Sequence, residues 1–520
     1  MRLAALLLSL VCVSALGAQA SWTYGAGDHF EVYTTGGDDV ARRALESFDR
    51  VHTYFERLLQ VPPVGGARTR LIVFSNRREF EPYAANASVK AFYQSGVDND
   101  VIVLPAFGPD AFPAVVHEYT HLVLRRVGAR YPLWLEDGLA EYLSTVTPVN
   151  GRLQVGTAPR DRERALGFGV RLMPLERLFA IGRDSAEHTS ASRTGLFYAQ
   201  SWALTHMLLT DDRYRSQAPA LLAKLAQGSP TALVLTTVYQ KPVDEIARDL
   251  TRYCLRGGYR SSFVDAPAAA ARADVTTRAA TSFEAQVALA AMLGANVQRR
   301  AEAQAAFDAL ERENPHDLFF NESAALFAIR AGRIDDARPY LERAAELGSL
   351  NARIHSHLAT VRAATETDAT FADDAEDALL ARALILASDD VEVRMQAARS
   401  FVRRRRGGEA WDLLSPITRV PTEYQAMFAE ALNSARLHSR ERVIDARLTN
   451  VACDGATRVL EVETGAGPKR LIEGPATAAA DLAVTLPCGT QDNRALRVGY
   501  EERPDAERRL DGTVMFVTIR

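Results

Sequence analysis

The segment His117-Glu-Tyr-Thr-His121 carries two histidines four apart, a spacing that suits a metal site on a helix. On a helix, residues four apart lie one turn above each other on the same face, so both imidazoles can reach one metal ion about 2.0–2.1 Å away. Glu118, displaced by one residue, then stands beside the ion, where it can take a proton from an attacking water. Phe112, Val115, Val116, Leu122 and Leu124 surround the motif with the apolar residues that a buried helix requires. The cysteines offer no competing metal site. Only Cys254, Cys453 and Cys488 follow residue 20, and no two have the close spacing of a structural zinc knot.

Two histidines need a further carboxylate, and Trp134-Leu-Glu-Asp-Gly-Leu-Ala-Glu-Tyr142 offers three: Glu136, Asp137 and Glu141. Residues 137 and 141 share a helical face one turn apart, whereas 136 is turned about 100° from 137. Together the two segments resemble the gluzincins, the zinc peptidase clan of thermolysin and the alanyl aminopeptidases, and in particular the exported peptidase MA-like branch. The resemblance extends over about residues 28 to 255 and is strongest over 117 to 142.

It implies a thermolysin-like α+β domain, a mixed sheet followed by a helical bundle. It also implies a zinc-activated water that hydrolyses peptide bonds with Glu118 as general base. The family's third zinc ligand is the glutamate before the glycine, and here that position holds Asp137, shorter by one methylene. Asp137 therefore ranks first as third ligand, its helix having to approach more closely. Glu141 ranks second, or else orients an imidazole from behind. Glu136, or no third protein ligand at all, comes last, and Glu136 itself reads as a surface acid or a helix N-terminal charge.

Phe197-Tyr198-Ala199-Gln200-Ser201-Trp202 resembles the clan's segment whose tyrosine stabilises the oxyanion, which implies that role for Tyr198. A phenol merely packed beside Trp202 is the alternative, and His206 reads as a core histidine. By the same resemblance, the strand Asn99 to Leu104 is the edge that pairs with substrate backbone. The clan's Gly-Ala-Met-Glu-Asn signature for a free amino terminus is absent, so endopeptidase action is as well supported as aminopeptidase action.

Residues 1–20 read as an export signal. Arg2 is followed by an apolar run from Leu3 to Leu16 and by Gly17-Ala18-Gln19-Ala20, a small-residue cleavage site. The run is too short to span a bilayer, and no later segment is apolar for long enough. The expected location is periplasmic or secreted, without a stable membrane anchor. A net charge of −4 over 520 residues gives no electrostatic case for nucleic acid. In an oxidising compartment Cys453 and Cys488 could pair, while Cys254 reads as a small buried hydrophobe.

The expected organisation is a metallopeptidase-like domain over 21–260, with strands and helices to about 109 and helices after it. Loops interrupt that helical part near 146–164 and 183–195. Residues 261–282 read as an alanine-rich linker. Over 283–440 a 34-residue period relates Ala291 to Ala325, Ala303 to Ala337 and Phe307 to Leu341, and Pro315 closes the first unit. This resembles tetratricopeptide repeats, two good units and two degenerate ones, and implies a solenoid on which a protein partner could dock. From 441 to 520, alternating runs at 446–451, 458–463, 482–486, 496–500 and 513–518 point to a small antiparallel β-domain. The expected ligands are therefore zinc and a peptide or protein substrate. The competing class is a catalytically weak or inactive metallopeptidase fold that serves as a protein-binding module, with the helical repeats as scaffold.

Overall fold

Six strands build the first sheet of the computed structural model. They are β1 (Trp22–Ala26), β2 (Phe30–Thr34), β3 (Thr69–Val73), β4 (Phe92–Gln94), β5 (Val101–Leu104) and, from much later in the chain, β9 (Thr276–Ala280). The structure describes residues 21–519 except 60–67, 86–88, 97–98, 109–110, 168, 191–193, 266–274, 366–368, 456 and 475–485. The expected export signal thus lies outside the described residues. Among those described, no helix is long and apolar enough to cross a membrane.

The sheet order is β4-β5-β3-β2-β1-β9, with β2, β3 and β5 parallel and the other pairings antiparallel. The runs of β3 and β5 are apolar without alternation because both faces of the sheet are covered. Leu71, Val73, Ile102 and Leu104 face the helix Asp38–Leu59 and the helix Phe112–Arg126 in one core. Ile72, Phe74, Val101 and Val103 face Val287, Phe307 and Phe320 in another.

Three expectations change here. Val101–Leu104 is an interior strand rather than the edge, since β4 pairs along its outer side. The expected linker carries two strands. Ser262–Asp265 (β8) joins the hairpin β6 (Thr147–Val149) and β7 (Arg152–Val155), and β9 pairs with β1. The expected loops also hold short helices, Arg160–Ala165 and Ala186–Thr189.

Over 282–437 successive helices pack mostly as pairs: Ser282–Ala295 with Arg300–Glu313, Leu318–Arg330 with Ile334–Glu346, and Ala352–Thr365 with Ala369–Leu386. The chain ends in a closed barrel of β10 (Glu441–Asp454), β11 (Thr457–Thr464), β12 (Gly467–Glu473), β13 (Gly489–Asp505) and β14 (Leu510–Ile519). Closure requires β12 to run parallel to β14, so this part is not purely antiparallel as expected. The expected strand at 482–486 lies almost wholly outside the described residues. A disulfide joins Cys453 to Cys488. Burial pushes the Cys254 thiol up to about 11, so it stays protonated near neutral pH and is no nucleophile.

Candidate metal centre

The helix Phe112–Arg126 starts on Pro113 and ends with Arg125 and Arg126, cations that suit the negative end of its dipole. Val115, Val116, Tyr119, Leu122, Val123 and Leu124 are buried, which leaves one flank, bearing His117 and His121, to face the next helix. That next helix, Leu133–Leu143, is buried on nearly every side. Gly138 explains how close it comes to the helix Thr194–Thr210. A Cβ there would lie 2.1 Å from Thr205 Oγ1 and 2.7 Å from the Ser201 carbonyl.

Packing of the helix Leu133–Leu143 against the helix Phe112–Arg126 brings three of the expected residues together. His121 Nε2 is 3.3 Å from His117 Nε2 and 3.4 Å from Asp137 Oδ1. One ligand atom from each of His117, His121 and Asp137 lies within 4.8 Å of the others. Two imidazole nitrogens and a carboxylate oxygen are a donor set suited to zinc. Ligand atoms 2.0–2.1 Å from a tetrahedral zinc stand about 3.4 Å apart, which the two measured separations match. Asp137 is 2% exposed, and its Oδ2 is buried without a hydrogen-bond partner. A buried carboxylate oxygen without a hydrogen bond is costly, and a bound cation would supply the missing partner. The residues fit the metal.

The other acids take different positions. Glu141 faces His117 Nδ1 at 3.6 Å and accepts both arms of Arg162, so it stands behind the imidazole and outside the three-atom cluster. Glu136 pairs with Arg183 at 2.5 Å. Glu118 accepts the Tyr93 backbone N–H at 2.8 Å.

Tyr198 lies beside the pair, its ring centroid 6.3 Å from that of His117, and Arg162 sits 5.2 Å over the ring. Trp202 instead packs on His206 and Tyr259. His206 is a core residue, bonded to the Gly156 carbonyl and the Tyr253 hydroxyl.

Two residues escaped the sequence reading. Arg162 anchors Glu141. His188, whose Nδ1 donates to the Arg183 carbonyl at 3.1 Å, brings its Nε2 within 3.7 Å of Asp137 Oδ2. Both come from short helices in stretches that read as loops, with no local pattern to mark them.

Charge opposes burial at His121 and Asp137 and reinforces it at Tyr198. Burial alone would push His121 down, but the Asp137 hydrogen bond and charge, with Glu118 and Glu136, carry it above the usual histidine value. Burial would raise Asp137, and the His121 bond and the neighbouring imidazoles hold it below. Burial, then the charges of Asp137, Glu118 and Glu141, lift the Tyr198 phenol far above the usual range, so it remains a donor. A cavity of about 550 Å³ opens on the centre, lined among others by His117, Glu118, Glu141, Arg162, His188 and Tyr198.

No protein-family model matches the chain, and a search of curated proteins finds no match.

Proposed function

We propose that the chain is an exported zinc metallopeptidase of gluzincin type that hydrolyses peptide bonds. The observation that carries this reading is the convergence of His117, His121 and Asp137, with His117, Glu118 and Tyr198 lining one cavity. His117, His121 and Asp137 would hold the metal. When bound, zinc supplies Lewis acidity, which polarises a carbonyl and makes a water acidic enough to attack near neutral pH.

The protein's own groups do the rest. Glu141, fixed by Arg162, orients the His117 imidazole. Glu118 accepts the proton of the attacking water and returns it to the leaving amine as the C–N bond breaks. Tyr198, held protonated by its surroundings, donates to the oxygen on which negative charge develops. The paired helices of 282–437 would form a tetratricopeptide-like scaffold on which a protein substrate or partner docks.

The test combines metal analysis with proteolysis. Purified protein should carry close to one zinc, which His117→Ala and His121→Ala should lose. Glu118→Ala should keep the metal and lose cleavage of an unstructured protein substrate. A zinc-loaded wild type that cleaves nothing would leave the binding-module reading in place of this one.

A further inference from the structure

The helices of 282–437 hold the strand that touches the general base. β4 has three residues and, among the described residues, pairs only with β5, too little to fix a strand by itself. Three contacts from the array side supply what the pairing lacks. Gln94 Nε2 donates to the Met292 carbonyl at 2.6 Å. Arg330 donates to the carbonyl of Gly96, just beyond the strand, at 2.5 Å. The third contact runs through Arg125, one turn beyond His121 on the same helix. Its Nη1 donates to the Tyr93 hydroxyl and to Asp100 Oδ1, each at 2.6 Å, while its Nη2 donates to Glu423.

The segment bearing Glu423 is itself seated on the end of that helix. Gln425 Nε2 donates to the Gly128 carbonyl at 2.7 Å. Gly128 has φ +75°, and a Cβ there would lie 2.2 Å from the Val420 carbonyl, so only a glycine lets the two backbones come so close.

Tyr93 joins the two ends of this arrangement. Its phenol is held by Arg125 and Asp100, and its backbone N–H points at Glu118 Oε2, 2.8 Å away. A carboxylate that accepts a fixed backbone N–H loses the freedom to turn about its side-chain torsions. We propose that Glu423, Arg125 and Tyr93 are positioning residues, through which the helical array orients Glu118. The role given to Glu118 rests on the peptidase reading, whereas the link from Glu423 to the Tyr93 amide does not.

The experiment uses the full-length, zinc-loaded protein with Glu423→Ala and, separately, Arg330→Ala. The Glu423 side chain is 29% exposed, so its removal opens no core. Zinc content should stay at the wild-type value. Amide exchange at Tyr93, read in peptic fragments spanning 92–96, should become about tenfold faster in each variant. With a library of internally quenched peptides, kcat should fall about tenfold while KM stays within about twofold. Glu423→Gln, which keeps an acceptor for Arg125, should recover part of both losses. Unchanged exchange at Tyr93 would overturn the proposal, and so would faster exchange with kcat intact. If the wild type cleaves no peptide, the peptidase reading fails, and the exchange measurement alone decides whether the array holds the strand.

Discussion

Glu141 receives the Arg162 guanidinium on both oxygens, at 2.7 and 2.9 Å, while its Oε1 faces His117 Nδ1. Its charge is therefore already engaged, and it would act on a bound metal only through the imidazole. Glu141→Gln and Arg162→Ala should each weaken zinc binding about 10–100-fold without abolishing it, as expected for a group behind a ligand. Asp137→Asn should cost more. Chelator competition measures all three, and loss of zinc in Glu141→Gln with none in Asp137→Asn would move the third ligand to Glu141.

Asp137→Glu tests how the shorter side chain is accommodated. Gly138 seats the helix so close to Ser201 and Thr205 that it cannot easily retreat. The added methylene should crowd the centre, with zinc partly retained and peptidase activity reduced. Gly138→Ala would push the same helix away from Ser201 and Thr205 and displace Asp137. It should destabilise the fold by about 1–3 kcal/mol in urea unfolding and weaken zinc binding as well. A fully active Asp137→Glu enzyme would mean that the helix has room to move.

Burial holds His206 down to about 4, and no part of it is exposed. An unfolded histidine titrates near 6.5, so between these values the unfolded chain binds the proton and the folded chain does not. The stability from a neutral His206 is complete above about pH 6.5 and is lost as pH falls towards 4, a difference of about 3 kcal/mol. Denaturant unfolding at pH 7 and pH 4.5 should show this loss in the wild type and a smaller one in His206→Gln. Equal losses in both proteins would assign the acid sensitivity elsewhere.

Residues 21–260 read as a self-sufficient unit in sequence, but the packing predicts otherwise. Deleting 283–440 bares Ile72, Phe74, Val101 and Val103, each worth about 1.5–3 kcal/mol when buried. Their sum approaches the whole stability of a typical domain. The truncated chain should be recovered mainly as aggregate, read as soluble yield beside the full-length protein. A soluble, zinc-binding truncation would show that this face needs no cover.

The candidate metal centre was legible in sequence where its geometry is local. His117 and His121 are one helical turn apart, and Asp137 and Glu141 another, so spacing alone placed each pair on a face. Arg162 and His188 reach the centre only through tertiary folding, from helices of six and four residues. The same divide holds for the strands. β3 and β5 announce themselves as buried apolar runs, whereas β9 is Thr-Thr-Arg-Ala-Ala and β12 is Gly-Pro-Lys-Arg-Leu-Ile-Glu. Those two are strands because neighbours offer them backbone partners, and that depends on register across the fold. Barrel closure, which rests on β12 meeting β14, was hidden for the same reason.

The pairing of β1 with β9 also bears on the order in which the molecule can be completed. Ala26 and Thr276 are 250 residues apart in sequence yet neighbours in the sheet. The helices of 112–256 join residues near in sequence and can form as the chain emerges. During synthesis from the amino terminus, however, β1 stands without its second partner until residues 276–280 have been made. At the common rate of 5–20 residues per second, that interval lasts roughly 10–50 seconds. The first strand is thus an open edge through the middle of the protein's production, the period in which a chaperone that covers extended segments has the most to protect.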